Sequence, residues 1–177
     1  INMTNHSYFN LAGHDSGAID SQVLTLEADF YSPNSAGCMP TGEIAKVDGT
    51  PFDFRAGKAF GADIAGSFEQ ISLFGGYDHN FVLSGRGFRR IATVCDPASG
   101  RVMEAYTDQP GMQLFTSNGM NIQGKGKNGA SYGAHQGFCL ETQTFPGADK
   151  MPWLVSPFYA KGQEYKTRTA YRFTTMA

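Results

Sequence analysis

Charge is one of the things this chain has little of. Only 17% of its 177 residues are Asp, Glu, Lys or Arg, and the net charge is -2. Gripping a phosphate backbone or an anionic lipid surface takes a concentrated positive field, so nucleic acid and membrane partners are not expected. Long apolar runs are missing too, and none approaches the roughly 20 residues a membrane-spanning helix requires. Cysteine is scarce: Cys38, Cys95 and Cys139 are odd in number, far apart and without C-x-x-C spacing. They read as reduced thiols, and the simplest setting for them is the cytoplasm. The histidines, at 6, 14, 79 and 135, have no i, i+2 or i, i+4 partner of ligand type, so no metal is expected. Neither an initiator Met nor a signal peptide precedes Ile1, and the reading is of a chain that begins within a longer protein.

What is plentiful is turn and strand material. Twenty-two Gly, eight Pro and 13% aromatic residues favour short strands joined by tight turns, with little helix. In "QVLTLEADFY", Leu24, Leu26, Ala28 and Phe30 alternate with Thr25, Glu27 and Asp29, which predicts one half-buried strand. Residues 89 to 107 place Asp96-Pro97-Ala98-Ser99-Gly100 between two β-rich runs and predict a hairpin. "EYKTRTAYRFTT" alternates Tyr165, Thr167, Thr169, Tyr171 and Phe173 with charged residues, as a long strand with one solvated face would. Further strands are expected at 43 to 47, 79 to 84, 111 to 117 and 137 to 145, with one short helix within 63 to 72 and a mobile loop at 124 to 135. The length supports one core, so residues 1 to 177 are taken as a single all-β domain.

Several apparent motifs fail. Gly124, Gly126 and Gly129 match G-x-G-x-x-G but lack a strand-to-helix setting, so nucleotide binding is rejected. Asn2-Met3-Thr4 and Asn5-His6-Ser7 satisfy the glycosylation pattern by coincidence. His14, Asp15 and Ser16 are a triad in composition only, since sequential neighbours cannot stack in line, and they read as a turn.

Three places set a polar or ionisable residue at a strand end: His6 in "TNHSYFN", Asp78 in "GGYDHNF" and Glu141 in "GFCLETQTFPG". Glu141 interrupts an otherwise apolar or neutral strand, where desolvation raises a carboxyl pKa unless donors offset it. Such a group is either a paired structural acid or a general base. Asp78 follows two glycines and is open to the more common role of capping a turn.

Together with "NMTNHSYFNLAG" (2 to 13), "MPTGEIAKVDGTPFDF" (39 to 54), "GGYDHNFVL" (75 to 83), "DPASGRVMEAYTDQPGMQLFTSN" (96 to 118) and "GQEYKTRTAYRF" (162 to 173), "GFCLETQTFPG" (137 to 147) makes six ordered blocks. In them the chain resembles the aldose 1-epimerase (galactose mutarotase) family. The resemblance implies part of a large antiparallel β-sandwich with a concave sugar cleft, and an activity that interconverts the α and β anomers of free aldoses such as galactose and glucose, without a cofactor.

By that resemblance Glu141 matches the general base that takes the proton of the anomeric hydroxyl, and His6 the general acid that protonates the ring oxygen, the pair lying on opposite sides of the reacting atoms. Asp78 matches a carboxylate that holds sugar hydroxyls, and Tyr8 is expected to line the cleft. The polar residues of "MTNHSYFNLAG" are expected to hold the imidazole in one tautomer. Family members run to roughly twice a single domain's usual length, and the chain matches only their second half. The family's other active-site His and a substrate-binding Arg fall in the N-terminal half, which is absent here. After the base, Gly147 and Lys150 stand where the family carries Asp and Asn, in a shortened loop.

Half of a sandwich leaves strand edges unpaired, so the isolated piece is expected to associate or be marginal. A separate chain supplying the N-terminal half, a cleaved precursor and an incomplete gene all fit. The alternatives to a mutarotase are a non-catalytic carbohydrate-binding or sugar-sensing module and an inactive fragment.

Overall fold

In the computed structural model, which describes residues 1–176, ten strands form two five-stranded sheets with antiparallel pairing throughout. The first sheet runs, in spatial order, β10 (Thr169–Thr175), β7 (Arg101–Thr107), β6 (Arg89–Cys95), β1 (Val23–Leu26) and β4 (Lys58–Ala59). The second runs β3 (Ala45–Lys46), β2 (Ala28–Tyr31), β5 (Asp78–Leu83), β8 (Gly111–Phe115) and β9 (Cys139–Gln143). One short helix, α1 (Glu69–Phe74), ends at Gly75, whose φ of 64° is the left-handed conformation that glycine adopts without steric cost. The all-β, sandwich-like expectation is met.

The predicted hairpin is β6 and β7, paired from Arg89 opposite Thr107 to Cys95 opposite Val102. Its turn closes because the Asp96 carboxylate accepts the Ser99 N–H at 3.0 Å and Gly100, at φ 72°, donates its N–H to the Asp96 carbonyl. The strand predicted across residues 22 to 31 is instead two strands in different sheets. The chain leaves the first sheet after Leu26, Glu27 bonds the Ile91 carbonyl, and pairing resumes with Ala28 opposite Leu83. An irregularity between Ala28 and Phe30 breaks the period of two, so that Tyr31 is buried while Phe30 faces outward. The final strand begins at Thr169, later than its alternation predicts, and β4 is too short to announce itself. Loop 124 to 135 is closed at its base by reciprocal backbone bonds between Ile122 and Tyr132.

The core lies between the sheets. Leu24, Leu26, Val94, Met103 and Ala105 face inward from the first sheet, and His79, Phe81, Met112, Leu114 and Leu140 from the second. Phe52 and Phe54, from the loop between β3 and β4, pack on Tyr31, Tyr77 and Phe81. At one margin the core is uncovered: Phe173 lies opposite Met103 yet is 60% exposed. Among the described residues no helix is long and apolar enough to cross a membrane.

Candidate active site

Strand alternation decides what reaches the outer face of the second sheet. Register places Asp78, Phe115 and Cys139 in one row across β5, β8 and β9, Asn80, Gln113 and Glu141 in the next, and Val82, Gly111 and Gln143 in a third. These rows point away from the apolar core, because residues two apart share a face. Gly111 gives the middle of this face its depth. A Cβ there would lie 2.7 Å from the Asn80 amide oxygen, to which Gln143 donates.

Over this face runs the N-terminal segment. It is pinned at one end by two backbone bonds between Phe9 and Phe138 and at the other by the Asn2 side chain, which bonds both the N–H and the carbonyl of Thr144. The pinning suspends His6 above β9. Its Nε2 lies 3.3 Å from Glu141 Oε1, and its Nδ1 lies 3.4 Å from Cys139 Sγ. The imidazole stacks on Tyr8 at 5.1 Å between centroids and meets the edge of Phe115 at 5.9 Å. The orientation of His6 is therefore set by Cys139, Glu141 and two rings, and not by the polar neighbours that the sequence led one to expect. Those neighbours mostly hold backbone: Asn5 accepts the Ser7 N–H, while Asn10 donates to the Gly17 and Gln136 carbonyls and accepts the Ala12 N–H and the Gln22 side-chain amide.

His6, Asp78 and Glu141 line one open pocket of about 310 Å³ with Gln113, Phe115, Gln143 and Pro146. Burial pushes the Glu141 carboxyl above the ordinary carboxylate range; His6 opposes the shift and Asp78 adds to it. Asp78 is raised as well, first by burial, with Gln113 Nε2 donating to its Oδ1 at 2.7 Å in opposition. No turn is capped by this carboxylate, which points across the sheet. Burial also pushes the Cys139 thiol up, so that it is held protonated.

His6 and Glu141 touch directly, and a molecule reacting between them would have to part them. Tyr8 buttresses the imidazole, but its ring lines a neighbouring cavity of about 480 Å³ with Phe9, His14 and Tyr132. The turn reading of residues 14 to 16 is met, with His14 Nδ1 2.9 Å from the Tyr132 hydroxyl. Sequence reasoning missed Gln113 and Cys139. Gln113 carries no signal until β8 is set beside β5, which brings it to Asp78, whereas Cys139 was detectable as the i, i+2 companion of Glu141 on one strand face. Cys139, His6 and Glu141 each offer one donor atom within 4.8 Å of the others, a grouping that spacing between histidines could not reveal.

The aldose 1-epimerase family model matches residues 1–172. A galactose mutarotase from Homo sapiens is 45% identical over 175 residues, covering 98% of this chain and 50% of the relative. An aldose 1-epimerase from Escherichia coli K12 is 33% identical over 178 residues, with the same coverage of 98% and 50%. Among solved structures, an aldose epimerase homologue from C. elegans superposes with a TM-score of 0.87 at 26% identity, covering 100% of this chain and 52% of that one. A galactose 1-epimerase from Lactobacillus acidophilus gives 0.79 at 28% identity, covering 98% and 48%. The chain thus spans about half the length of the curated relatives it matches. With sequence and fold in agreement along nearly its whole length, the chain belongs to the aldose 1-epimerase family.

Proposed function

We propose that this chain carries the proton-transfer pair of an aldose 1-epimerase acting on free aldohexoses such as galactose and glucose. The observation that carries the reading is the contact of His6 with Glu141 in a pocket floored by Asp78. The anomeric hydroxyl and the ring oxygen of a cyclic sugar share one carbon, so the groups that serve them must be neighbours, and a bound sugar parts the two to take its place between them. Glu141 takes the hydroxyl proton while protonated His6 gives one to the ring oxygen. The carbon to ring-oxygen bond breaks, leaving an aldehyde. Rotation about the adjacent carbon bond presents the other face, and the pair closes the ring with roles reversed, as microscopic reversibility requires.

Asp78, kept on line by Gln113, accepts sugar hydroxyls, and Tyr8 acts by holding the imidazole plane. Raised carboxyls at Glu141 and Asp78 fit a base that must take up a proton and an acceptor that must bind without bulk water. The three cysteines are unpaired, which fits the cytoplasm. Because the chain spans half of its relatives, full activity is assigned to its assembly with the other, N-terminal half.

Polarimetry of freshly dissolved α-D-galactose and α-D-glucose tests this, first with the chain alone and then with the N-terminal half of a relative added in trans. Acceleration in either arm that vanishes in Glu141→Gln supports the reading. Sugar binding without acceleration in both arms would favour a non-catalytic sugar-binding module.

A further inference from the structure

We propose that Cys139, His6 and Glu141 form a three-ligand site for a borderline-soft divalent cation, with zinc the ion whose chemistry fits. Cys139 and Glu141 are two residues apart on β9 and share its outer face, and His6 hangs over both from the pinned N-terminal segment. The donor set is one thiolate sulfur, one imidazole nitrogen and one carboxylate oxygen, a combination that suits zinc and disfavours the oxygen-seeking magnesium and calcium.

The spacing is close to what such an ion needs. Bond lengths near 2.3 Å to sulfur and 2.0–2.1 Å to nitrogen imply a tetrahedral S···N separation of about 3.6 Å, and Cys139 Sγ lies 3.4 Å from His6 Nδ1. Glu141 Oε1 lies against the other ring nitrogen, Nε2, and only one ring nitrogen binds the ion; one donor from each residue falls within 4.8 Å of the others, so the widest gap must close by up to about 1.4 Å. The imidazole can supply that movement, since its side chain is 50% exposed. Two anionic ligands balance the ion's charge, which a partly buried site demands. The adjoining pocket gives a way in and leaves a fourth position for water. All three ligands bind deprotonated, so binding releases the Cys139 thiol proton to solvent together with any proton then carried by His6 or Glu141. Where His6 and Glu141 act as acid and base, a bound ion removes both from proton transfer, so the site is inhibitory; that consequence alone rests on the function proposed above.

Cobalt(II) titration of the 177-residue chain tests the site without any sugar, because a cobalt–thiolate bond gives a near-ultraviolet charge-transfer absorption. The expected result is such a band, saturating at one cobalt per chain and bleached by zinc, which as a d10 ion gives up no ligand-field stabilisation in a tetrahedral thiolate site and so displaces cobalt. It should persist in Cys38→Ser, which removes the exposed thiol, and vanish in Cys139→Ser. His6→Gln should weaken cobalt binding by more than the roughly tenfold that loss of an outer partner of a ligand costs. Absence of the band in the wild-type chain, or its survival in Cys139→Ser, overturns the proposal. Should Cys139→Ser fail to fold by circular dichroism, unchanged cobalt affinity in His6→Gln overturns it as well.

Discussion

His6 Nε2 lies 3.3 Å from Glu141 Oε1, although one side chain hangs from the N-terminal segment and the other projects from the last strand of the second sheet. The Phe9 to Phe138 backbone bridge and the clamp of the Asn2 side chain on the Thr144 backbone bring them together, and no reading of the histidine itself would show either. The same devices tie the geometry of the pair to the integrity of the β9 edge.

Glu141→Gln keeps the shape of this side chain while removing its capacity to accept a proton. Sugar binding should persist, and anomer exchange should slow by about 10²-fold or more, the range of a lost general base. Polarimetry gives the rate and a sugar titration gives the affinity. An unchanged rate would remove Glu141 from the mechanism.

Asp78→Asn replaces a charged acceptor with a neutral one. Gln113 now donates to that carboxylate, and its own Oε1 is a buried atom with no partner among the described residues. Affinity and rate should therefore fall together, because hydrogen bonds to a charged acceptor are about twice as strong as neutral ones. A fall in rate with intact affinity would place Asp78 in proton transfer and not in binding.

How much of this was legible in the sequence depended on whether the signal was local. The hairpin at 89 to 107 was, because Asp96, Ser99 and Gly100 act within their own turn. The half-buried strand across 22 to 31 was misread at Glu27, where apolar alternation continues while the chain passes between sheets, since a period of two says which face is buried and not which sheet is joined. At the site, Glu141 stood out as a carboxylate in an apolar strand. The role of Gln113 comes from the register of β8 on β5, and although its i, i+2 spacing puts Cys139 on the same face as Glu141, its contact with His6 comes from a segment lying over the sheet, which no sequence spacing encodes.

His79 gives a pH signature separate from the pocket. It packs among Phe52, Phe74 and Tyr31, accepts the Asp78 N–H at Nδ1 and donates from Nε2 to Gln70. Burial lowers its pKa from 6.5 to about 3. The unfolded chain therefore binds the proton first, so this contribution is complete above pH 6.5 and is lost as pH falls from there toward about 3. Between those limits wild-type stability should fall by about 1.4 kcal/mol per pH unit more than that of His79→Gln, which does not titrate. Asp78 and Glu141, raised by burial, act with the opposite sign but are present in both proteins, so the difference isolates His79. Urea midpoints from pH 7 down to pH 4.5 would show it, and parallel curves would mean that His79 is solvated.

Gly100→Ala tests the hairpin turn alone. A Cβ at this position meets nothing within 4 Å, so the cost is the left-handed backbone at φ 72° and no clash. The expected loss is about 1–2 kcal/mol, or a melting temperature lower by roughly 2–8 °C for a chain of this size. A loss much above that would show that the turn also supports the Asp96 contacts during folding.

Phe173→Lys addresses the margin where the core is open. β10 pairs with β7 on one side only, and Phe173 carries the core row past Met103 into solvent, beside Phe9. An unpaired strand edge with an exposed aromatic residue recruits other chains, and a lysine on such an edge is how natural sheets prevent it. Sedimentation over a range of concentrations should show self-association of the wild-type chain that is reduced in Phe173→Lys. Equal association in both would move the sticky surface to another edge. Adding the N-terminal half in trans then separates two meanings of this margin. If that half suppresses association of the wild-type chain as effectively as the lysine does, the open core beside β10 is the seam at which the rest of the sandwich docks.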